Sequence, residues 1–116
     1  MRELTTRAEA ATVFVSYSLS PEAKYPTAIE EIYAALEWIA ASGPDHDLDP
    51  GRIAVAGDSV GGNMTAAVAA GVPVTSVRYN GTIHDFVMLN ALRDTRAAKA
   101  ATAQGGEFLR ATLWDE

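Results

Sequence analysis

One serine in this 116-residue chain sits in a pattern suited to nucleophilic chemistry. Within RIAVAGDSVGGNM, Gly57-Asp58-Ser59-Val60-Gly61 reads G-x-S-x-G, and Gly62 adds a further glycine. Apolar residues precede the motif as a strand would, and small, helix-compatible residues follow it. That context fits a serine held on a sharp strand-to-helix turn, where flanking glycines avoid backbone clashes. The N–H of Val60 would then face a developing oxyanion at a helix N-terminus, whose dipole favours negative charge. The plainer alternative is an ordinary βα turn with Ser59 as its cap, but strand, helix and Gly62 together favour the nucleophile's turn. A nucleotide-binding βαβ unit fits less well, because the glycines do not follow G-x-G-x-x-G and no P-loop lysine appears.

A serine nucleophile needs a base, and the chain has two histidines, His46 and His84. His46 lies in the polar turn PDHDLDPGR and reads as incidental; His84 lies in the loop NGTIHDF. The two lack metal-ligand spacing, and with no cysteine in the chain there is neither a disulfide nor a thiolate site. No metal and no cofactor is expected. The net charge of −6 argues against nucleic acid or an anionic membrane as main partner. No apolar run reaches membrane-spanning length, and MRELTTRAEA lacks a signal's apolar core, so a cytoplasmic location is the expectation.

Helices and strands must position these residues. ATVFVSY, Ala11 to Tyr17, is a β-branched and aromatic run that reads as a buried strand. SLSPEAKYP is a loop, since Pro21 and Pro26 forbid helix until the second proline. Thr27 and Glu30 have capping-box spacing, and Ile29, Ile32, Tyr33, Leu36 and Ile39 form one apolar stripe. Gly43 and Pro44 end that helix. Ile53 to Gly57 is the second strand, and the helix after Ser59 ends near Gly71 to Pro73. Pro73 to Tyr79 is the third strand, followed by a turn at Asn80-Gly81. From Asp94 or Thr95 a last helix places Ala97, Ala101, Phe108 and Leu109 on one face, and Gly105-Gly106 predicts a kink or break. Strand and helix alternate, which defines a single α/β domain over 1–116 with a mainly parallel sheet flanked by helices.

GDSVGGN closely resembles the elbow of the hormone-sensitive-lipase-like family of α/β-hydrolases, which includes bacterial carboxylesterases and acetyl esterases. VFVSYSLSPEAKYPTAIEE, DLDPGRIAVAGDS and AGVPVTSVRYNGTIHDFVMLNAL resemble further parts of it. The resemblance implies Ser59 as nucleophile and His84 as general base. It makes Val60 the backbone oxyanion donor, and Gly57, Gly61 and Gly62 the elbow glycines. Asp85 looks like a common variant at its position and not like a relocated triad acid. The implied substrate is a small, short-chain acyl ester.

The chain departs from the family at two places. No glycine precedes Gly43, so the HGGG-type loop that supplies further oxyanion donors is missing, and the sequence starts just ahead of the family's fourth strand. The triad acid belongs between serine and histidine, yet Val60 to Ile83 holds no aspartate or glutamate. TAAVAA runs into GVPVT as if an acid-bearing segment had been dropped. The acid is therefore unassigned: absent, or drawn from Asp45, Asp47, Asp49, Asp58, Asp94 or a neighbouring subunit. The expectation is a truncated three-layer α/β-hydrolase-like fold with weak esterase activity, or a catalytically inert scaffold of that fold. Its three strands are not neighbours in the family sheet, so they must close ranks in a new order or pair with another copy. A homo-oligomer follows.

Overall fold

The computed structural model describes residues 2–69 and 72–114. Helix α1 spans Arg2–Ala8, α2 Thr27–Ser42, α3 Val60–Val68 and α4 Arg96–Trp114. Short 3₁₀ turns occupy Gly43–His46 and Asn90–Leu92. None of the helices among the described residues is long and apolar enough to cross a membrane.

Helix α1 was not legible as a separate element, although Glu3 in its first turn and Arg7 in its last suit the helix dipole. It lies against α4, with Ala8 and Ala98 3% and 2% exposed. The Trp114 indole N–H donates to the Ala8 carbonyl at 2.8 Å, and Arg110 pairs with Glu9. The glycine pair in α4 does not break the helix, which runs unbroken from Arg96 to Trp114. Its role is close approach: a Cβ on Gly106 would stand 2.6 Å from the Arg7 Cβ. Tertiary packing has overridden the weak helix propensity of glycine. Thr95 caps α4 by accepting from the Ala98 N–H at 3.3 Å.

Helix α2 starts where Pro26 stops forbidding it, but the capping box does not form. Thr27 already lies inside the helix, Pro26 holds the cap position, and no side chain caps the end. Glu31, one residue beyond the expected partner, does the nearest equivalent work: its carboxylate accepts from the Ser18 N–H at 2.6 Å and the Ser18 hydroxyl at 2.8 Å. That tie fastens the loop after residue 17 to α2. Ile29, Ile32, Leu36 and Ile39 are half-buried as the stripe requires, while Tyr33 is exposed. Gly71, part of the expected end of α3, lies outside the described residues; within them α3 ends at Val68.

The three expected strands are where the structure departs most from the sequence reading. Residues 11–17, 53–57 and 73–79 carry no strand assignment, and no backbone hydrogen bond joins any two of them among the described residues. A strand exists only through a neighbour that accepts and donates its ladder bonds. These segments have the composition of strands, but among the described residues no ladder bond joins them.

The consequence shows in the dimensions. The accessible surface is 8719 Å², against about 6,100 Å² expected for a folded monomer of this mass. The radius of gyration is 15.0 Å, against about 13.4 Å for a close-packed domain of this length. Ala8 and Ala98 are the only hydrophobic residues fully buried among those described.

Candidate active site

Ser59 sits at φ 56°, ψ −120°, immediately before α3. Positive φ is sterically costly for a residue with a Cβ, and a serine keeps it only where the surrounding backbone enforces it. Gly57 permits the turn. A Cβ there would meet the Gly61 carbonyl group at 2.2 Å and the Gly62 nitrogen at 2.7 Å. Gly62 is also close, its Cβ position lying 3.2 Å from the Gly57 carbonyl oxygen. Gly61 differs from expectation, because nothing lies within 4 Å of the Cβ it lacks. Its backbone, and not its missing side chain, is what crowds Gly57.

The turn leaves a donor free beside the hydroxyl. The Gly61 N–H bonds to the Asp58 carbonyl at 2.9 Å and the Asn63 N–H to the Ser59 carbonyl at 3.2 Å. The Val60 N–H makes no hydrogen bond with any described residue. It is the unsatisfied donor of a helix N-terminus, at the residue following the serine.

Twenty-five positions along the chain, the second loop returns to the same place. Ser59 Oγ lies 2.9 Å from His84 Nε2, a full hydrogen-bond contact. The loop is shaped by Gly81 at φ 77° and by the Thr82 hydroxyl donating to the Tyr79 carbonyl at 2.8 Å. Asp85, also at positive φ (59°), places its carboxylate 3.4 Å from the same Nε2. A triad acid must hold the other nitrogen, Nδ1, so that Nε2 is left to take the serine proton. Asp85 approaches the wrong nitrogen for that task.

Among the described residues, none of the other aspartates supplies the missing contact. Asp49 is held by Arg52 at 2.7 Å and by the Gly51 N–H, and these bonds keep its carboxyl below the usual range. Asp94 is likewise lowered, first by Lys99 and then by Arg93. Asp45, Asp47 and Asp58 make no hydrogen bond or ion pair with His84. His46 lies ring-to-ring with Trp38 at 5.1 Å. Among the described residues, no three acidic or histidine side chains gather to hold a metal ion.

Ser59 and His84 open onto a cleft whose walls the sequence did not mark as functional. Tyr79 and Phe86 face each other at 5.5 Å, Gln104 accepts from the Tyr79 hydroxyl, and Phe108 closes the α4 side. Phe108 read as part of the packing face of α4, yet 46% of it is exposed. An aromatic residue on a helix face gives the same signal whether the face meets a core or a cleft.

An elbow serine in hydrogen-bond contact with a loop histidine belongs to the layout of serine hydrolases on α/β scaffolds. The comparisons agree. Residues 1–70 match the model of a family described as having the alpha/beta hydrolase fold, and the chain belongs to that family. This accords with the hormone-sensitive-lipase-like resemblance. Relatives include the esterase LipI of Mycobacterium tuberculosis, 48% identical over 68 residues. The carboxylesterase NlhH of the same species is 48% identical over 62 residues. Bovine arylacetamide deacetylase is 40% identical over 65 residues. The matches cover 59%, 53% and 54% of this chain but only 21%, 19% and 16% of those proteins. The chain thus spans about a fifth of these relatives' length. A thermostable esterase from Pseudomonas putida has a structure matching 99% of this chain and 68% of its own, with TM-score 0.89 and 28% identity. The family match ends at residue 70, where TAAVAA meets GVPVT, whereas the structural match continues beyond it.

Proposed function

We propose that the chain is a carboxylic ester hydrolase acting on short-chain acyl esters through Ser59 and His84. One observation carries the reading: a serine at φ 56° with its hydroxyl 2.9 Å from an imidazole nitrogen. The esterase relatives support the reaction class.

The chemistry follows from that pair. Ser59 Oγ attacks the ester carbonyl carbon while its proton passes to His84 Nε2. The carbonyl oxygen becomes an oxyanion beside the free Val60 N–H. Collapse expels the alcohol, protonated by His84, and leaves an acyl group on Ser59. Water, deprotonated by the same histidine, then releases the acid.

The rate is expected to be low. Val60 is the one oxyanion donor identified among the described residues, and the loss of one donor of a pair costs about a hundredfold or more in turnover. A base with no acid on Nδ1 costs up to about ten-thousandfold. Hydrolysis of p-nitrophenyl acetate and butyrate tests the proposal, with Ser59→Ala as the comparison. Equal rates for the two proteins would refute it, because exposed histidines cleave such activated esters slowly without any serine.

A second reading, an inert scaffold of the fold, is favoured by the lack of a carboxylate on His84 Nδ1 among the described residues. A fluorophosphonate probe separates the two. Labelling confined to Ser59 requires an activated hydroxyl, and its absence in folded protein selects the scaffold.

A further inference from the structure

We propose that Tyr79 is a positioning residue which, through Gln104 of α4, holds the His84 loop against Ser59. The inference rests on the Ser59–His84 pairing proposed above and adds the anchor that keeps the pair in place. Tyr79 is half-buried at the start of the loop, and each of its polar groups and its ring has a partner. Its carbonyl accepts from the Thr82 hydroxyl at 2.8 Å, which folds the loop's first turn. Its ring meets that of Phe86 at 5.5 Å, so the two sides of His84 are clasped together. Its hydroxyl donates to Gln104 Oε1, and among the described residues no other hydrogen bond joins residues 79–86 to α4.

The loop needs such an anchor. In serine hydrolases a carboxylate on Nδ1 orients the imidazole, and among the described residues His84 has none. Its side chain is largely exposed, so packing does not hold the ring either. Orientation then falls to the backbone that carries it, where Gly81 and Asp85 both adopt positive φ. Tyr79 fixes that backbone at both ends and ties it to α4, which α1 in turn holds, with Ala98 2% exposed at their contact. The Ser59 Oγ to His84 Nε2 distance of 2.9 Å leaves little room for drift. A misplacement of about 1 Å at such a contact costs on the order of a hundredfold in rate.

Tyr79→Phe keeps the ring and removes only the hydroxyl. The Ser59-dependent hydrolysis of p-nitrophenyl butyrate should then lose about tenfold in kcat, with KM held within about twofold. Gln104→Leu should do the same, and the double variant no more, because both remove one interaction. Gln104→Glu keeps an acceptor oxygen and should recover kcat to within about threefold of wild type. A second readout does not depend on turnover. In the wild type, Ser59→Ala should shift the His84 Nε2 resonance in ¹⁵N NMR, and in Tyr79→Phe the same substitution should hardly move it. That pattern in a protein without Ser59-dependent hydrolysis would refute the esterase reading and still support the anchor. Wild-type kcat in Tyr79→Phe, or an Nε2 resonance there as sensitive to Ser59→Ala as in the wild type, would overturn it. So would a loss in Tyr79→Phe that Gln104→Leu does not reproduce.

Discussion

At the scale of single residues, the site depends on one strained backbone and one contact. Gly57→Ala forces a Cβ into the Gly61 carbonyl at 2.2 Å, so the elbow must open. Such strain costs about 1–3 kcal/mol, and fluorophosphonate labelling of Ser59 should fall at least tenfold, by about 1.4 kcal/mol or more. Gly61→Ala meets open space and should leave labelling within about twofold, since no clash is added. Asp85 gives a second contrast. Its carboxylate is half-exposed and stands on the Nε2 side of a largely exposed His84. Exposed pairs contribute at most about 1 kcal/mol, so Asp85→Asn should change esterase rate by less than about fivefold. His84→Ala should remove the serine-dependent rate altogether. A large Asp85→Asn loss, comparable with His84→Ala, would show that this carboxylate has a catalytic task after all. The G-x-S-x-G spacing made Ser59 and its glycines legible in the sequence. The pairing with His84 was reached only through the family resemblance, because no local pattern links a serine to a histidine twenty-five residues away.

Among the elements, the helices were more legible than the strands, for a physical reason. A helix closes its hydrogen bonds within itself, so the stripe of α2 and the Pro26 boundary sufficed to place it. A strand's bonds lie with its neighbours, and composition alone does not supply a neighbour. The α4 glycines misled for a related reason: propensity argued for a break, while the α1 contact that needs Gly106 lies about a hundred residues away. That contact gives paired stability predictions of opposite sign. Gly106→Ala meets the Arg7 Cβ at 2.6 Å, and overpacking of about 1–3 kcal/mol outweighs the propensity gain of about 1 kcal/mol. Gly105→Ala meets Leu4 at an ordinary 3.4 Å and should raise the melting temperature, by the propensity gain alone. The Ser18 tie to α2 has a pH signature. Hydrogen bonds from the Ser18 N–H and hydroxyl hold the Glu31 carboxyl below its ordinary value. A lowered carboxyl pKa contributes stability present above the unfolded value of about 4.3 and lost as pH falls through the folded value. Glu31→Gln should flatten that part of the acid limb in a circular-dichroism titration, leaving the neutral-pH helix content in place.

For the whole molecule, the family fold is matched while its sheet shows no ladder bonds among the described residues. The chain superposes on an esterase at a TM-score of 0.89, so its helices and loops hold the family's positions. Yet the layer that those helices should cover has no ladder bonds among the described residues. Hydrophobic burial is the main force holding a domain together, and here only two hydrophobic side chains among the described residues are fully buried. Val13, Phe14, Ile53, Val74 and Val77 in the open segments 11–17, 53–57 and 73–79 are exposed, and whatever covers them adds stability. Mass action turns this into a measurement. If the cover is a second copy, association stabilises only the folded state, and the melting temperature must rise with protein concentration. For a dimer that forms on folding, each tenfold rise in concentration stabilises by about 1.4 kcal/mol per dimer, which moves the midpoint by several degrees at this size. Differential scanning calorimetry over two decades of concentration reads that shift directly. A midpoint that stays fixed, with a heat-capacity increment near that of an ordinary 116-residue domain, would mean that one chain closes its own core. A midpoint that climbs while the esterase rate per chain climbs with it would tie the site to the assembled state, because Gly57 ends one of the open segments and Ser59 stands two residues beyond it.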